Sequence, residues 1–155
     1  PSVVLELGTG LGISTVYLRM GCKTSKIYTI EACAEKVNYA KSQFSRHQFE
    51  NIQTLQDSFE NGISDVARKE DKLDLVFIDG DHTYENTIRY FNVLFDECHN
   101  NTVLVFDDIY WSRGMMKAWK YIRSSEKVSV TIDLFQFGIV FFKKELSKQN
   151  FKIKY

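Results

Sequence analysis

The sequence predicts an α/β fold, a doubly wound sheet in which most strands are parallel. Short, continuous apolar runs rich in β-branched residues recur along the 155 residues, a pattern typical of strands buried on both faces of a parallel sheet. Segments with apolar residues three and four positions apart lie between these runs and predict helices. The last two apolar runs are separated only by Phe135 and Gln136, which predicts a hairpin and an antiparallel last strand.

Each element is placed by its own pattern. A helix is predicted where apolar residues form one stripe, as Val37, Ala40 and Phe44 do. The patterns at 52–55 and 63–67 are the weakest. In chain order, the predicted elements are a strand at 3–7, a helix at 13–20, a strand at 27–30, a helix at 37–44, a strand at 52–55, a short helix at 63–67, a strand at 73–78, a helix at 84–95, a strand at 103–106, a helix at 115–122, and strands at 128–134 and 137–142.

Composition predicts one domain that covers residues 1–155. A hydrophobic content of 44%, with 14% aromatic residues, can bury one sizeable core. The 20 basic and 20 acidic residues give a formal net charge of zero, which disfavours nucleic acid as a partner. No apolar run approaches the roughly 20 residues that a bilayer span needs, and no export signal opens the sequence. We therefore expect a cytoplasmic protein without a membrane partner.

A glycine-rich turn connects the first predicted strand to the first helix. Gly8, Gly10 and Gly12 stand at alternate positions after Glu6. Glycines let the backbone turn tightly and approach a ligand, and the N–H groups at the following helix N-terminus favour an anionic group. A dinucleotide fingerprint needs its third glycine at position 13, where this chain has Ile13. The turn therefore predicts a nucleotide-like ligand and fits NAD poorly.

Polar residues follow the second and third predicted strands. Glu31 ends the second strand, 19 residues after Gly12, where a carboxylate can accept hydrogen bonds from both hydroxyls of a ribose. Gln56, Asp57 and Ser58 follow the third strand. Together with the glycine turn, these positions predict a site for a ligand that contains a ribose.

These three elements resemble the cofactor-contacting elements of class I S-adenosylmethionine-dependent methyltransferases. The terminal hairpin is similar to the end of that family's seven-stranded sheet, whose strand order is 3-2-1-4-5-7-6. The resemblance covers essentially the whole chain and implies S-adenosylmethionine as the cofactor. Relatives of this type carry helices before the first strand that cover the cofactor and the acceptor, and we expect this chain to lack them. The implied cofactor-binding residues are Glu6 before the glycine turn, Gly8, Gly10, Gly12 and Ser14 at the methionine end, Glu31 at the ribose, Asp57 and Ser58 at the adenine, and Asp79 after the fourth strand.

Two later strands end in acidic residues. Asp79 and His82 follow the fourth strand, and Asp107 and Asp108 follow the fifth. Ligands of an open parallel sheet bind beyond the carboxyl ends of its strands, so both clusters face the same crevice. Converging carboxylates repel one another unless a proton or a cation lies between them, and oxygen ligands suit Mg²⁺ or Ca²⁺. An alternative stays open, in which Asp79 and Asp107 only cap the next helices.

The acidic clusters are similar to the ligand set of metal-dependent O-methyltransferases, the catechol and caffeoyl-coenzyme A types and the enzymes that modify macrolide sugars. That resemblance implies Asp79, Asp107 and Asp108 as ligands of Mg²⁺ or another divalent cation. The catechol type carries a catalytic lysine three residues after the first Asp, where this chain has His82. Because a neutral imidazole can also accept a hydroxyl proton, His82 and Asp79 are the predicted catalytic residues. A helix-capping or supporting role for His82 stays open.

The sequence thus predicts transfer of a methyl group from S-adenosylmethionine to a hydroxyl oxygen of a small molecule, with a divalent cation assisting. Two alternatives remain: a metal-independent N- or C-methyltransferase, and a module that binds S-adenosylmethionine without catalysis. A nucleic-acid methyltransferase is disfavoured by the zero net charge and by the lack of an aromatic-proline motif after the fourth strand. The sequence leaves open the identity of the acceptor and whether the chain forms a homo-oligomer.

Overall fold

The computed structural model describes residues 1–154, which form one eight-stranded sheet and five α-helices. None of these helices is long and apolar enough to cross a membrane. The strands are β1 (Val3–Leu7), β2 (Lys26–Glu31), β3 (Ile52–Gln56), β4 (Leu73–Ile78), β5 (Cys98–Phe106), β6 (Val130–Asp133), β7 (Gly138–Phe141) and β8 (Gln149–Lys152). The helices are α1 (Ile13–Gly21), α2 (Ala34–Arg46), α3 (Phe59–Lys69), α4 (Tyr84–Asp96) and α5 (Arg113–Ser124).

The sheet has the strand order β3-β2-β1-β4-β5-β7-β6-β8. Strands β1 to β5 pair in parallel, and β7 runs antiparallel to both β5 and β6. This arrangement confirms the predicted fold class and the predicted order of seven strands. The order reverses between β1 and β4, so the crevice beyond their carboxyl ends is where a ligand of such a sheet binds.

Strand β8 is the one addition to the predicted sheet. It pairs in parallel with the edge of β6, from Val130 opposite Gln149 to Asp133 opposite Lys152. All four of its residues are exposed and it has no apolar alternation, so its sequence carries no strand signal. Strand β8 forms because its backbone pairs with the backbone of β6.

Helix α1 exposes its predicted apolar stripe and buries polar residues instead. Ile13, Tyr17 and Met20 are 66%, 71% and 59% exposed, whereas Thr15 and Arg19 are buried. The guanidinium of Arg19 donates to carbonyl oxygens in the turn after the helix, and the Thr15 hydroxyl donates to a buried carboxylate of β1. Polar contacts therefore fix the orientation of α1. The stripes of α2 and α5 are buried as predicted.

A buried carboxylate at the end of β6 ties the terminal hairpin to the rest of the sheet. Asp133 is fully buried and accepts hydrogen bonds from the Tyr110 hydroxyl at 2.7 Å, the Trp119 indole at 3.1 Å and the Phe135 backbone N–H at 3.0 Å. Burial alone would raise the pKa of Asp133, but these hydrogen bonds outweigh it and lower the pKa. The side chain therefore stays ionised and joins β6, the loop after β5 and α5.

Replacing Asp133 with alanine is expected to lower the free energy of unfolding by about 3 kcal/mol, because one buried and two partly buried donors would lose their acceptor. The measurement is urea unfolding followed by circular dichroism. Asp65→Ala is the control, since that carboxylate lies on the exposed face of α3. Equal stability of the two variants would show that the carboxylate does not hold the hairpin.

Candidate active site

A cavity of about 860 Å³ opens at the carboxyl ends of the parallel strands. The turn after β1, the end of β2, the start of α3 and the ends of β4 and β5 line it. Predicted site residues that line the cavity are Gly8, Gly10, Ser14, Glu31, Ser58, Asp79 and Asp107. Predicted site residues outside its lining are Glu6, Gly12, Asp57, His82 and Asp108.

The glycine turn presses against the end of β4. Gly8 donates its backbone N–H to the Ile30 carbonyl oxygen at 3.0 Å and has a φ of +107°. A Cβ at Gly8 would lie 2.0 Å from the Asp79 carbonyl oxygen, so only glycine allows this approach. The contact brings the turn and the acidic end of β4 to one wall of the cavity. Gly12 instead faces the Phe44 ring of α2 and shapes the turn from behind.

The Glu6 carboxyl group lies behind the turn. It is fully buried, and its Oε2 accepts hydrogen bonds from the Thr15 and Thr29 hydroxyls. Burial raises the pKa of Glu6, and its Oε1 has no hydrogen-bond partner among the described residues. Glu6 anchors α1 and β2 to β1 and lies outside the lining of the cavity, and its predicted contact with the cofactor stays a prediction.

The Glu31 carboxylate is held rigidly at the end of β2. Its Oε2 accepts the Gly10 N–H at 3.2 Å and its Oε1 accepts the Cys33 N–H at 3.0 Å. The Lys36 ammonium lies 4.0 Å from Oε2, and the glutamate side chain is 13% exposed. An ionised carboxylate can accept about four hydrogen bonds, so both oxygens keep capacity for a ligand in the cavity.

The segment after β3 contributes the start of α3. The Ser58 hydroxyl caps this helix by accepting the Asn61 N–H at 3.3 Å, and the residue also lines the cavity. The carboxylate of Asp57 binds the Asn61 side chain at 2.9 Å and the Ser58 N–H at 2.7 Å instead of lining the cavity. The Phe59 ring lies in the lining, in T-shaped contact with Tyr90 at 5.3 Å between centroids.

Two carboxylates meet across the ends of β4 and β5. Asp79 directly follows β4 and Asp107 directly follows β5, and both residues line the cavity. Burial, together with the charges of Asp79 and Asp108, raises the pKa of Asp107 to about 6. Burial likewise raises the pKa of Asp79. Because two close carboxylates do not both ionise easily, Asp107 takes up a proton at a higher pH than an ordinary aspartate, and its carboxylate can accept a proton from a bound molecule.

Neither carboxylate of this pair is the helix cap that the alternative assigned to it. Helix α4 is capped by the Thr83 hydroxyl, which accepts the Asn86 N–H at 3.4 Å, and α5 is capped by the Ser112 hydroxyl at 3.1 Å from the Met115 nitrogen. The Asp79 carboxylate is thus free to face the cavity.

The remaining predicted residues flank the pair. The His82 Nε2 lies 3.6 Å from Asp79 Oδ1, although the imidazole lines a neighbouring cavity. Asp108 donates its backbone N–H to Asp107 Oδ1 at 2.8 Å. In residues 1–154, no group of three or more His, Cys, Asp or Glu side chains is arranged to hold a metal ion. The predicted metal site at Asp79, Asp107 and Asp108 is therefore not confirmed.

The sequence of residues 5–109 matches the model of a family described as a methyltransferase domain. The chain belongs to this family. No curated protein matches the sequence of this chain significantly.

Solved structures share the fold of this methyltransferase. An O-methyltransferase from Bacillus cereus in complex with SAH (S-adenosylhomocysteine) is 20% identical, with a TM-score of 0.75 over 90% of this chain and 74% of that chain. An SAH-bound methyltransferase of Podospora anserina is 15% identical, with a TM-score of 0.77 over 92% and 72%. An rRNA methylase from Streptococcus thermophilus is 14% identical, with a TM-score of 0.71 over 92% and 87%. At these identities the likeness concerns the fold.

Sequence reasoning missed several residues that line the cavity of the methyltransferase. Lys36 lies in the first turn of α2, and Tyr17 projects from the exposed face of α1. Phe137 comes from the hairpin and packs against Phe77 of β4, with ring centroids 6.4 Å apart. Tyr17 and Phe137 both belong to apolar sequence patterns that are typical of core residues. Only Lys36, five positions after Glu31, has a spacing that could have indicated its place near the ribose-binding acid.

The methyltransferase should show a pH dependence of stability that comes from Asp107. The pKa of this group is about 6 when folded against an ordinary value of 3.8, so the folded chain binds the proton more tightly. The stabilising contribution is complete below about pH 4 and is lost as the pH rises to about 6. In urea unfolding with EDTA present, the wild type should lose stability relative to Asp107→Asn across that window. Parallel profiles for the two proteins would contradict the raised pKa.

Proposed function

We propose that this methyltransferase transfers the methyl group of S-adenosylmethionine to a hydroxyl oxygen of a small molecule. The observation that carries the proposal is the pair of carboxylates, Asp79 and Asp107, which lines the same cavity as the glycine turn and Glu31 and whose pKa values are raised by burial. A group poised to accept a proton near neutral pH suits an acceptor that must lose one as it reacts.

The cavity offers a separate group for each part of S-adenosylmethionine. Gly8, Gly10 and Ser14 would line the methionine end, where the turn presents backbone N–H groups. The Glu31 carboxylate, already fixed by two backbone N–H groups, would accept the ribose hydroxyls. Ser58 would flank the adenine together with the Phe59 ring, which offers a flat apolar surface. The predicted contact of Asp57 with the adenine stays a prediction.

Methyl transfer then needs alignment and one proton acceptor. The acceptor oxygen attacks the sulfonium methyl in line, forming the O–CH₃ bond as the S–CH₃ bond breaks and S-adenosylhomocysteine leaves. Holding the two reactants in the cavity supplies most of the acceleration. The hydroxyl proton passes to the Asp79 and Asp107 pair or to His82, whose Nε2 lies 3.6 Å from Asp79 Oδ1.

Assistance by a divalent cation stays a separate prediction. Asp79, Asp107 and Asp108 would hold Mg²⁺, which would supply charge neutralisation for the acceptor oxyanion. In the described residues the three side chains do not form a ligand group, and burial raises the pKa values of Asp79 and Asp107, which favours their protonated forms. The arrangement thus fits a proton better than a cation, and no step above depends on a metal.

The remaining parts of the proposal concern the setting of the reaction. We propose that residues 1–155 act as one domain, in the cytoplasm, and that the acceptor is not a nucleic acid. The balanced charge of the chain supports the last point. The rRNA methylase among the structural neighbours makes RNA the acceptor class to test alongside small molecules.

The test is transfer of an isotopically labelled methyl group from S-adenosylmethionine to a panel of hydroxyl, amine and thiol compounds and to RNA, read by mass spectrometry. We expect the label on oxygen, with the same products in Mg²⁺ and in EDTA, because the two carboxylates can accept the proton without a metal. Loss of activity in EDTA would support the metal prediction. Label on nitrogen or carbon alone would overturn the proposed oxygen specificity, and label on RNA alone would overturn the small-molecule acceptor.

A further inference from the structure

A second cavity of about 870 Å³ lies beside the first, between the start of α4 and one face of α5. We call it the α5 groove and define it by His82, Thr83, Tyr84 and Glu85 on one side and by Ser112, Gly114, Lys117, Lys120, Tyr121 and Ser124 on the other. The two cavities adjoin at His82, which lines the groove while its Nε2 faces the Asp79 carboxylate of the first cavity. A molecule in the α5 groove can therefore reach the proposed methyl-transfer position.

The charge of the α5 groove is the opposite of that in the first cavity. Lys117 and Lys120 are exposed and make no hydrogen bond or ion pair with any described residue. Glu85 is the one acidic side chain of the groove, and the first turn of α5 contains no acid. The N-terminal end of α5 adds partial positive charge to the same face. Two unpaired ammonium groups beside one carboxylate leave a net attraction for an anion.

The shape of the α5 groove indicates an elongated ligand. Its lining on α5 runs from Ser112 to Ser124, which is roughly 18 Å of helix at 1.5 Å per residue. The Tyr121 ring, 43% exposed, gives this face a flat apolar surface beyond the two lysines. One end of the groove is therefore next to the proton-accepting groups, and the lysines lie one to two turns of helix away from it.

We propose that the α5 groove binds the acceptor of the methyl group, and that this acceptor carries a phosphate or a carboxylate. The anionic group contacts Lys117 and Lys120 while a hydroxyl at the other end reaches His82 and Asp79. This inference rests on the proposed function for the reaction itself, but the binding of an anion in the groove can be observed without turnover.

The experiment is a nitrogen-15 NMR titration of the whole chain with inorganic phosphate, 3,4-dihydroxybenzoate and catechol, each with and without S-adenosylhomocysteine. We expect shift changes in residues 82–85 and 112–124 for the anionic probes and weaker binding of the uncharged catechol. Affinity for the anions should fall roughly tenfold in K117Q/K120Q, because this variant loses two exposed charge contacts. The control K41Q/K69Q removes two exposed lysines elsewhere and should bind like the wild type.

The two anionic probes distinguish an acceptor that carries a phosphate from one that carries a carboxylate. Groove shifts with phosphate alone indicate a phosphorylated acceptor, and shifts with dihydroxybenzoate alone indicate a carboxylated one. For any probe that is methylated, K117Q/K120Q should raise KM and leave kcat nearly unchanged. Absence of groove shifts with both anions, equal affinity in K117Q/K120Q and wild type, or equal binding of catechol and dihydroxybenzoate would overturn the inference.

Failure of the proposed function is visible in the same spectra. S-adenosylhomocysteine should shift the glycine turn and Glu31. If it does not, the proposed cofactor fails whatever the anions do in the groove. If it does and the anions leave the groove unchanged, only the inference about the acceptor fails.

Discussion

Replacing Glu31 with glutamine is expected to lower the affinity for S-adenosylmethionine about a hundredfold, a loss of about 3 kcal/mol. Both carboxylate oxygens accept a backbone N–H, one from Gly10 and one from Cys33. The glutamine amide has only one oxygen, so its NH₂ group would confront one of these donors. The ribose hydroxyls would lose a charged acceptor as well, and hydrogen bonds to charged groups are worth about 1.5–3 kcal/mol each.

Calorimetric titration with S-adenosylhomocysteine measures this effect. Glu35→Gln is the matched control, since it removes a carboxylate of the same size from the exposed first turn of α2. The control should bind like the wild type. A change of less than about threefold in Glu31→Gln would remove Glu31 from the proposed ribose site.

Replacing Gly8 with alanine is expected to lower the free energy of unfolding by about 3–5 kcal/mol, because two costs add. A φ of +107° is strained for a residue with a Cβ, and the new atom would lie 2.0 Å from the Asp79 carbonyl oxygen. That oxygen belongs to the backbone of the sheet and cannot rotate away. Relieving the overlap would separate the turn from β4 and widen the cavity.

Thermal unfolding followed by circular dichroism tests the effect, with an expected fall in Tm of roughly 10–15 °C. Gly10→Ala is the matched control, since its φ is +52° but a Cβ there would meet no atom within 4 Å. We expect a cost of about 1 kcal/mol for the control. Equal losses in the two variants would show that the turn does not press against β4.

The alternation of strands and helices could be predicted because buried parallel strands and amphipathic helices leave different periods in the sequence. Strand β8 could not, since its pairing with β6 depends on the neighbouring edge and its own residues are polar and exposed. The orientation of α1 could not either. Its apolar stripe at Ile13, Tyr17 and Met20 indicated the wrong face, because Thr15 and Arg19 find buried polar partners that periodicity does not reveal.

The strand-end residues of the site could be predicted because the carboxyl ends of parallel strands meet at one edge of the sheet. Glu31, Asp79 and Asp107 accordingly line one cavity. Glu6 stands inside a strand that is buried along its whole length, and that burial places its carboxyl group behind the turn. The second cavity and its lysines depend on how α4 and α5 pack, which no spacing in the sequence records.

We propose that the cavity at the ends of β1, β2 and β4 is the site for S-adenosylmethionine. The most direct test is calorimetric titration of S-adenosylmethionine and S-adenosylhomocysteine into the wild-type chain, each with Mg²⁺ and with EDTA. We expect one molecule bound per chain, with a dissociation constant on the order of micromolar and little difference between Mg²⁺ and EDTA. Absence of binding of both compounds in both conditions would contradict the claim.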